Sequence, residues 1–324
     1  MSVLSVESLR VKLATPGGDV TIVDGVDYDV QPGEVFGVAG ESGSGKTISM
    51  LALLGLLPEG SAVEGTARFG DDDLIAIPRR RLQSISGRDI AMVFQDPFTS
   101  LHPMLSVGKQ LTEHVRLHLG LDRTRANERA VELLSDVRIP DPHTALRRFP
   151  HQFSGGMRQR IAIAIALACG PRLLIADEPT TALDVTVQAG ILRLLDGLRR
   201  QSGLSVVMIT HDLGVMSSIA DWLTVMYAGR VVESGPTGLV LSHARHPYTA
   251  GLLAALPHPE AAEDTALRSI RGAPPSPQAR PDGCAFHPRC QYAQPSCSVD
   301  VPALARIGDG RRLACPIDPL QAGA

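Results

Sequence analysis

The chain has 324 residues, 44% of them hydrophobic, and its 31 basic and 34 acidic side chains leave a formal charge of -3. That is enough apolar material for a large α/β domain with an appendage, and the dispersed Lys and Arg mark no nucleic-acid groove, so no nucleic-acid partner is expected. The apolar stretch 161–170 is too short to span a bilayer and residues 1–10 lack the parts of a signal peptide, so the expectation is a cytosolic chain that meets a membrane only through partners.

Val3 to Lys12 and Val20 to Val30 alternate like strands, with Pro16-Gly17-Gly18-Asp19 as the turn, and predict an antiparallel N-terminal sheet. The apolar run Val35 to Ala39 then leads into Gly40-Glu41-Ser42-Gly43-Ser44-Gly45-Lys46-Thr47 and a helix from Ile48 to Leu57. A strand, a loop fitting G-x-x-x-x-G-K-[ST] and a helix form a nucleotide phosphate site. Its glycines let successive N–H groups turn toward phosphate oxygens at a helix start. Lys46 would reach the β- and γ-phosphates, and the Thr47 hydroxyl would hold Mg²⁺. An ordinary Gly-rich turn would not need all four required positions in this context.

Helical spacing follows in Ser106 to Leu119 and Arg123 to Val137, bounded by Gly120 and Pro140. Ser154-Gly155-Gly156 precedes Met157 to Ala164 and predicts a helix with Ser154 as N-cap, a second anion site. One nucleotide needs only one phosphate loop, so the economical reading is that the two sites face different nucleotides across a head-to-tail dimer. The buried strand Leu173 to Ala176 ends in Asp177-Glu178, with Pro179 stopping it. Asp177 would hold Mg²⁺ through water, and Glu178 would orient or deprotonate the attacking water. Alone, such a pair reads as a solvated turn; downstream of a phosphate loop it reads as catalytic. Parallel strands alternating with helices are expected from Arg172 to Glu233.

In this order the motifs resemble the ATP-binding subunits of ABC transporters. The resemblance implies a phosphate-loop α/β domain with a mixed sheet, an antiparallel N-terminal β subdomain and a helical subdomain at about residues 96–160. It implies that Gln95, in Phe94-Gln95-Asp96-Pro97, senses Mg²⁺ and the attacking water. His211, after the strand Leu204 to Ile209, would contact the γ-phosphate, and Asp184 would link the two ATP sites of a dimer. Ser154, Gly155 and Gly156 would act on the partner's ATP. The stretches Phe94 to Pro103, Phe149 to Arg160, Ala176 to Gln188 and Met226 to Gly235 are similar to subunits that energise bacterial dipeptide, oligopeptide and nickel import. Implied partners are a second ATPase subunit in a heterodimer or homodimer, two membrane permease subunits and, indirectly, an extracytoplasmic solute-binding protein. That would place the chain on the cytoplasmic face of the membrane. Phe98, Leu101, Met104 and Leu105 are candidates for the permease contact, or else core of their own subdomain. One departure is that Val11 to Ile22 holds no aromatic ring to stack on adenine, so Leu13 or Val20 would pack there.

The tail, residues 257–324, follows an ATPase domain of residues 1–256. Eleven of the 24 prolines and four of the five cysteines lie at or after Pro257, with too few apolar residues for a core of their own. Cys284, Cys290, Cys297 and Cys315 are spaced C-x5-C-x6-C-x17-C, which in a cytosolic chain suggests metal rather than disulfides. Zn²⁺, an iron-sulfur cluster and unligated thiols all remain open on spacing. Gly283 to Cys290 with Tyr292-Ala293 resembles the peptide-importer extension, which implies a [4Fe-4S] cluster. Cys169 reads as a small buried hydrophobe. The function implied is ATP hydrolysis driving peptide import. Nickel or another small solute is the alternative, and a soluble non-transport ABC ATPase or an exporter ATPase fits less well.

Overall fold

The computed structural model describes residues 2–96, 100–181, 183–256 and 270–317. It divides into two compact units: Met1–Val3, Gln31–Glu34 and Ile77–Ile209 in the first, and Leu4–Val30, Val35–Ala76 and Thr210–Ala324 in the second.

The second unit opens with β1 (Leu4–Thr15) and β2 (Gly18–Val30), antiparallel as expected but longer. Thr15 pairs with Gly18, so only Pro16 and Gly17 form the tip, and the Thr15 hydroxyl donates to the Gly18 carbonyl at 2.7 Å. Val6, Leu9 and Val11 face the core, a spacing that breaks strict alternation. A bulge explains it: the register shifts between Val6 and Leu9, with Ser8 at φ 52° and its N–H donated to Asp27 Oδ1. β4 (Ala62–Phe69) pairs with β1 on its other side and with the two-residue β5 (Asp72–Asp73) at the sheet edge.

Between these strands lie β3 (Val35–Ala39), buried throughout, and α1 (Lys46–Leu53). The helix is shorter than the expected run to Leu57. Gly55, at φ 64°, turns the chain out of the helix, and Leu56 N–H closes back on the Leu51 carbonyl. β3 runs parallel to β9 (Trp222–Tyr227), which turns at once into β10 (Arg230–Pro236). Here the expectation of parallel strands to Glu233 fails, because β9 and β10 are antiparallel. A turn of two residues, Ala228 and Gly229, both at positive φ, can join only antiparallel neighbours.

In the first unit, α2 (Arg79–Ile85) leads into β6 (Ile90–Val93), which with β7 (Leu173–Asp177) and β8 (Ser205–Thr210) forms a parallel set, β7 and β8 being buried along their length. Between β6 and β7, α3 (Val107–Leu119) is capped by Ser106 and closed by Gly120 in the left-handed region. α4 (Arg123–Asp136) is capped by Asp122. A short helix, α5 (Pro142–Ala145), precedes α6 (Gly155–Ala166), whose N-cap is Ser154 as expected; its oxygen accepts from Met157 N–H at 3.4 Å. α7 (Val185–Ser202) leads from β7 to β8. Leu101 is 2% exposed, so it belongs to the core of this unit rather than to a contact surface, whereas Met104 is 77% exposed. Phe98 lies outside the described residues.

Residues 270–317 are ordered by the rest of the second unit. β12 (Arg312–Leu313) adds to β10, and β11 (Ala305–Arg306) adds to β12. Phe286 is buried with its ring centre 5.2 Å from Tyr227 and 5.3 Å from Tyr248. Tyr248 is carried by α10 (Pro247–Ala254), which follows α8 (Leu213–Ile219) and α9 (Thr237–Ser242). Arg280 bonds Asp24, and the buried Arg311 lies 3.8 Å from the fully buried Glu233. A segment too poor in apolar residues for its own core thus borrows one and ties down its arginines. Among the described residues no helix is long and apolar enough to cross a membrane.

Candidate active site

The phosphate loop joins buried β3 to α1. Gly40 takes φ 149°, and a Cβ there would lie 2.2 Å from the Met226 carbonyl oxygen, so no larger residue fits. The β9–β10 turn braces the loop from beside it, Gly229 donating its N–H to the Ser44 carbonyl at 3.0 Å. Lys46 is 6% exposed and its Nζ donates to the carbonyls of Gly40 at 2.7 Å and Glu41 at 2.9 Å. Ser44 Oγ is buried without a hydrogen-bond partner. A buried hydroxyl lacking a partner beside an ammonium at a helix start fits a phosphate oxygen, to which both groups could donate. Ser42, Gly43 and Gly45 complete the turn, and Thr47 sits half-buried in the first turn of α1.

Glu41 is held at three points. Its N–H donates to Tyr248 Oη at 2.8 Å, its carbonyl accepts from Lys46, and its carboxylate takes both ends of the Arg289 guanidinium at 2.6 and 3.0 Å. Burial raises the pKa of Tyr248, so its oxygen remains a neutral hydroxyl. Sequence spacing did not point to Arg289 or Tyr248. The available cue was Glu41 itself, since a carboxylate in a loop built for anions calls for a cation beside it.

In the first unit, Asp177 is 3% exposed at the end of β7. Glu178 follows at φ 45°, a left-handed conformation unfavourable for a residue with a Cβ, fixed by its N–H bond to the Ile209 carbonyl at 2.9 Å. Its Oε2 accepts from Gln95 Nε2 at 2.8 Å and from Thr181 Oγ1 at 2.9 Å. Gln95 and Glu178, 83 residues apart, are therefore brought together, and Thr181 is a third member that motif reading did not single out. Asp184 caps α7, accepting from Val187 N–H at 2.9 Å. A Cβ on Gly156 would lie 2.5 Å from Val187 Cγ1, so the start of α6 packs closely on the helix that Asp184 begins. Ser154 is exposed and Gly155 half-buried there. His211 is exposed after β8 and falls, like the phosphate loop, in the second unit, while Gln95, Asp177, Glu178, Ser154 and Asp184 fall in the first.

Leu13 and Val20, the candidates for the adenine platform, are cross-strand partners near the β1–β2 tip, both half-buried.

The tail cysteines do not form the preformed metal site expected. Among the described residues no group of three or more His, Cys, Asp or Glu side chains is arranged to hold a metal ion. All five cysteines are free, and burial pushes the thiols of Cys284 and Cys290 up and that of Cys315 up to about 11, which keeps them protonated at neutral pH. They are neighbours nonetheless. Cys284 N–H donates to the Cys297 carbonyl at 2.8 Å, and Cys297 and Cys315 line one groove. The donor set suits four-thiolate ligation; its present arrangement does not. Cys169 is half-buried, and burial pushes its thiol up to about 11.

Comparison with known proteins matches this architecture. Residues 23–181 match the ABC transporter family model, and residues 232–297 match the oligopeptide/dipeptide transporter C-terminal region. The oligopeptide transport ATP-binding protein OppD of Salmonella typhimurium is 46% identical over 98% of this chain and 95% of its own length. The dipeptide transport ATP-binding protein DppD of Escherichia coli is 45% identical, with 98% of each chain covered. The dimeric ATP-binding cassette MJ0796, solved in a post-hydrolysis state with ADP and Pi, superposes with a TM-score of 0.65 at 25% identity, over 72% of this chain and 98% of that one. CbiO1 of Clostridium perfringens, part of the transporter complex cbiONQ, gives a TM-score of 0.63 at 27% identity, over 74% and 91%. With its phosphate loop, strand-end carboxylates and C-terminal region in place, the chain belongs to the ATP-hydrolysing subunits of ABC transporters.

Proposed function

We propose that this chain energises the import of di- and oligopeptides, by ATP-driven closure and hydrolysis-driven release of a pair of nucleotide-binding subunits. The observation that carries this reading is the near full-length similarity to OppD and DppD, tail included. The domain division we adopt is 1–256 for the ATPase and 257–324 for the extension.

Lys46 and the amides of residues 40–47 bind the phosphates, and their positive charge offsets the charge that builds up during transfer. Thr47, Asp177 and Gln95 are the residues that would hold Mg²⁺, which would supply further positive charge to offset that of the phosphates. Glu178 takes the proton from the attacking water, and Gln95 and Thr181 fix its carboxylate for that task. His211 donates to the γ-phosphate. Ser154, Gly155 and Gly156 bind the nucleotide held by the other subunit, and Asp184 at the head of α7 passes the state of one site to its twin. The partners are a second ATPase subunit, as a heterodimer, two permease subunits that hold the chain at the cytoplasmic membrane face, and indirectly a solute-binding protein. For Cys284, Cys290, Cys297 and Cys315 we propose [4Fe-4S] ligation in preference to zinc, on the strength of the donor set and of the tail's resemblance to the peptide-importer extension.

The test is ATP hydrolysis by the complex of this chain with its permease in proteoliposomes, with solute-binding protein loaded with a dipeptide, a pentapeptide or Ni²⁺. Stimulation by the peptides is expected. Stimulation by Ni²⁺ alone would overturn the substrate, and hydrolysis indifferent to any loaded binding protein would overturn the coupling to import.

A further inference from the structure

We propose that Arg289, carried by the C-terminal segment, is a positioning residue for nucleotide binding: it neutralises Glu41 within the phosphate loop and keeps that carboxylate away from Lys46 and from the incoming anion. This rests on the nucleotide-binding reading given above. The phosphate-loop pattern leaves position 41 free, and a carboxylate is an unfavourable occupant, because it repels a triphosphate and competes with it for the ammonium. Glu41 and Lys46 are neighbours in the loop, Lys46 Nζ lying 2.9 Å from the Glu41 backbone carbonyl.

Arg289 removes that conflict by geometry. Both its terminal nitrogens engage the two carboxylate oxygens, at 2.6 and 3.0 Å, in a bidentate pair that is 6% exposed on the arginine side and 26% on the glutamate side. The guanidinium is itself fixed. Its Nε donates to the Arg271 carbonyl at 3.0 Å, its other donors reach the Gly272 carbonyl and Tyr227 Oη at 3.3 Å, and its carbon lies 5.8 Å and 5.9 Å from the ring centres of Tyr227 and Phe286. The bond to Glu41 raises the pKa of Arg289 further, so its charge is permanent. A residue 248 positions away along the chain thus sets the local charge of the phosphate loop. The C-terminal segment is in this way part of the nucleotide site.

The experiment measures Mg-ATP affinity by calorimetry on the full chain carrying Glu178→Gln to suppress turnover. Arg289→Ala, Arg289→Lys, Glu41→Gln and the Arg289→Ala/Glu41→Gln pair are compared in that background, and kcat and KM for ATP are read in the hydrolytically competent chain. Arg289→Ala is expected to weaken binding at least fivefold, the lower end of ordinary coupling between sites, and to raise KM with little change in kcat. The pair should recover affinity to within about twofold, since removing the carboxylate removes the reason for the arginine. Arg289→Lys, which keeps the charge, should stay closer to the parent than Arg289→Ala does. Glu41→Gln alone, which frees a positive charge, should bind as tightly as the parent or more tightly, and it tests the idea even if Arg289→Ala does not fold. Unchanged affinity in Arg289→Ala, a defect that Glu41→Gln does not relieve, or weaker binding in Glu41→Gln would each overturn the proposal. If the parent chain binds no Mg-ATP, it is the nucleotide-binding reading that falls, and this proposal with it.

Discussion

Gln95 Nε2 donates to Glu178 Oε2 at 2.8 Å, so a residue in the loop after β6 and the residue that follows β7 meet over one carboxylate oxygen. With Thr181 on the same oxygen, the carboxylate has a fixed position rather than a swinging one. Glu178→Gln should keep nucleotide binding, trap a closed dimer and lower kcat by about 10²- to 10⁴-fold, the share that a general base supplies. Gln95→Ala should cost less, about 10- to 100-fold, because the base remains but is less well placed. Single-turnover hydrolysis checks both. Normal turnover in Glu178→Gln would remove it from the role of base.

The helix starts at Ser154 and Asp184 are coupled through Gly156, whose missing Cβ leaves room for Val187. Gly156→Ala should lower stability by about 1–3 kcal/mol through overpacking, and Val187→Ala in the same chain should restore much of that loss. Ser154→Ala should behave differently. Its cap bond is long, at 3.4 Å, so about 1 kcal/mol or less of stability is at stake, while hydrolysis should fall sharply. In mixed dimers carrying Ser154→Ala on one side, the nucleotide held by the unaltered subunit should fail to turn over; failure at the altered subunit's own nucleotide would exclude action in trans.

What was legible in the sequence was what local chemistry demands. The strand, loop and helix around Lys46 follow from one motif, because a phosphate cradle must sit at a helix start, and Ser154 announced its cap role by standing before two glycines and an apolar run. Boundaries were less legible. Gly55 ends α1 early, a backbone effect that hydrophobic pattern does not carry, and the Ala228-Gly229 turn reverses β10 where alternation alone suggested another parallel strand. Faces were illegible in short segments, as Leu101 shows: a lone leucine has no periodicity to say which way it points. Least legible were pairs set by tertiary packing. Nothing in spacing joins Glu41 to Arg289, or Gln95 to Thr181, and four cysteines in one segment indicate proximity without indicating ligation.

Asp24 gathers three arginines from three parts of the second unit. It accepts from Arg10 at 2.9 Å, from Arg230 at 2.6 and 3.0 Å and from Arg280 at 3.1 Å, and is 14% exposed. Burial raises its pKa, but the bonds from Arg230 and Arg10 outweigh burial and hold it below the usual carboxylate value. Burial lowers the Arg280 pKa, yet a guanidinium remains charged at any ordinary pH, so the attraction persists. A depressed carboxylate pKa gives stability that is fully present above the unfolded value near 4 and fades as pH falls below it. Asp24→Asn should therefore cost about 2 kcal/mol at pH 7, discounted for partial exposure, and progressively less below about pH 4. Denaturant titrations of both proteins at pH 7 and pH 3 test this; an equal cost at both values would mean that Asp24 is not the linked group.

The tail cysteines give a test in which packing and ligation predict different results. If residues 270–317 are held by Phe286, Arg280, Arg289 and Arg311 alone, then Cys290→Ser should leave stability within about 0.5 kcal/mol, since a half-buried thiol and hydroxyl differ little there. If the four thiols ligate a cluster, anaerobically purified protein should carry about four irons and four sulfides per chain with a visible absorption band, all lost in Cys290→Ser. Ligation would also require Cys284, Cys290 and Cys315 to give up protons that burial now favours, so metal uptake should strengthen with rising pH. One zinc and no iron would make the site a structural clamp. No metal under anaerobic conditions would leave the borrowed core as the whole explanation of the tail's order, and the thiols as bystanders within it.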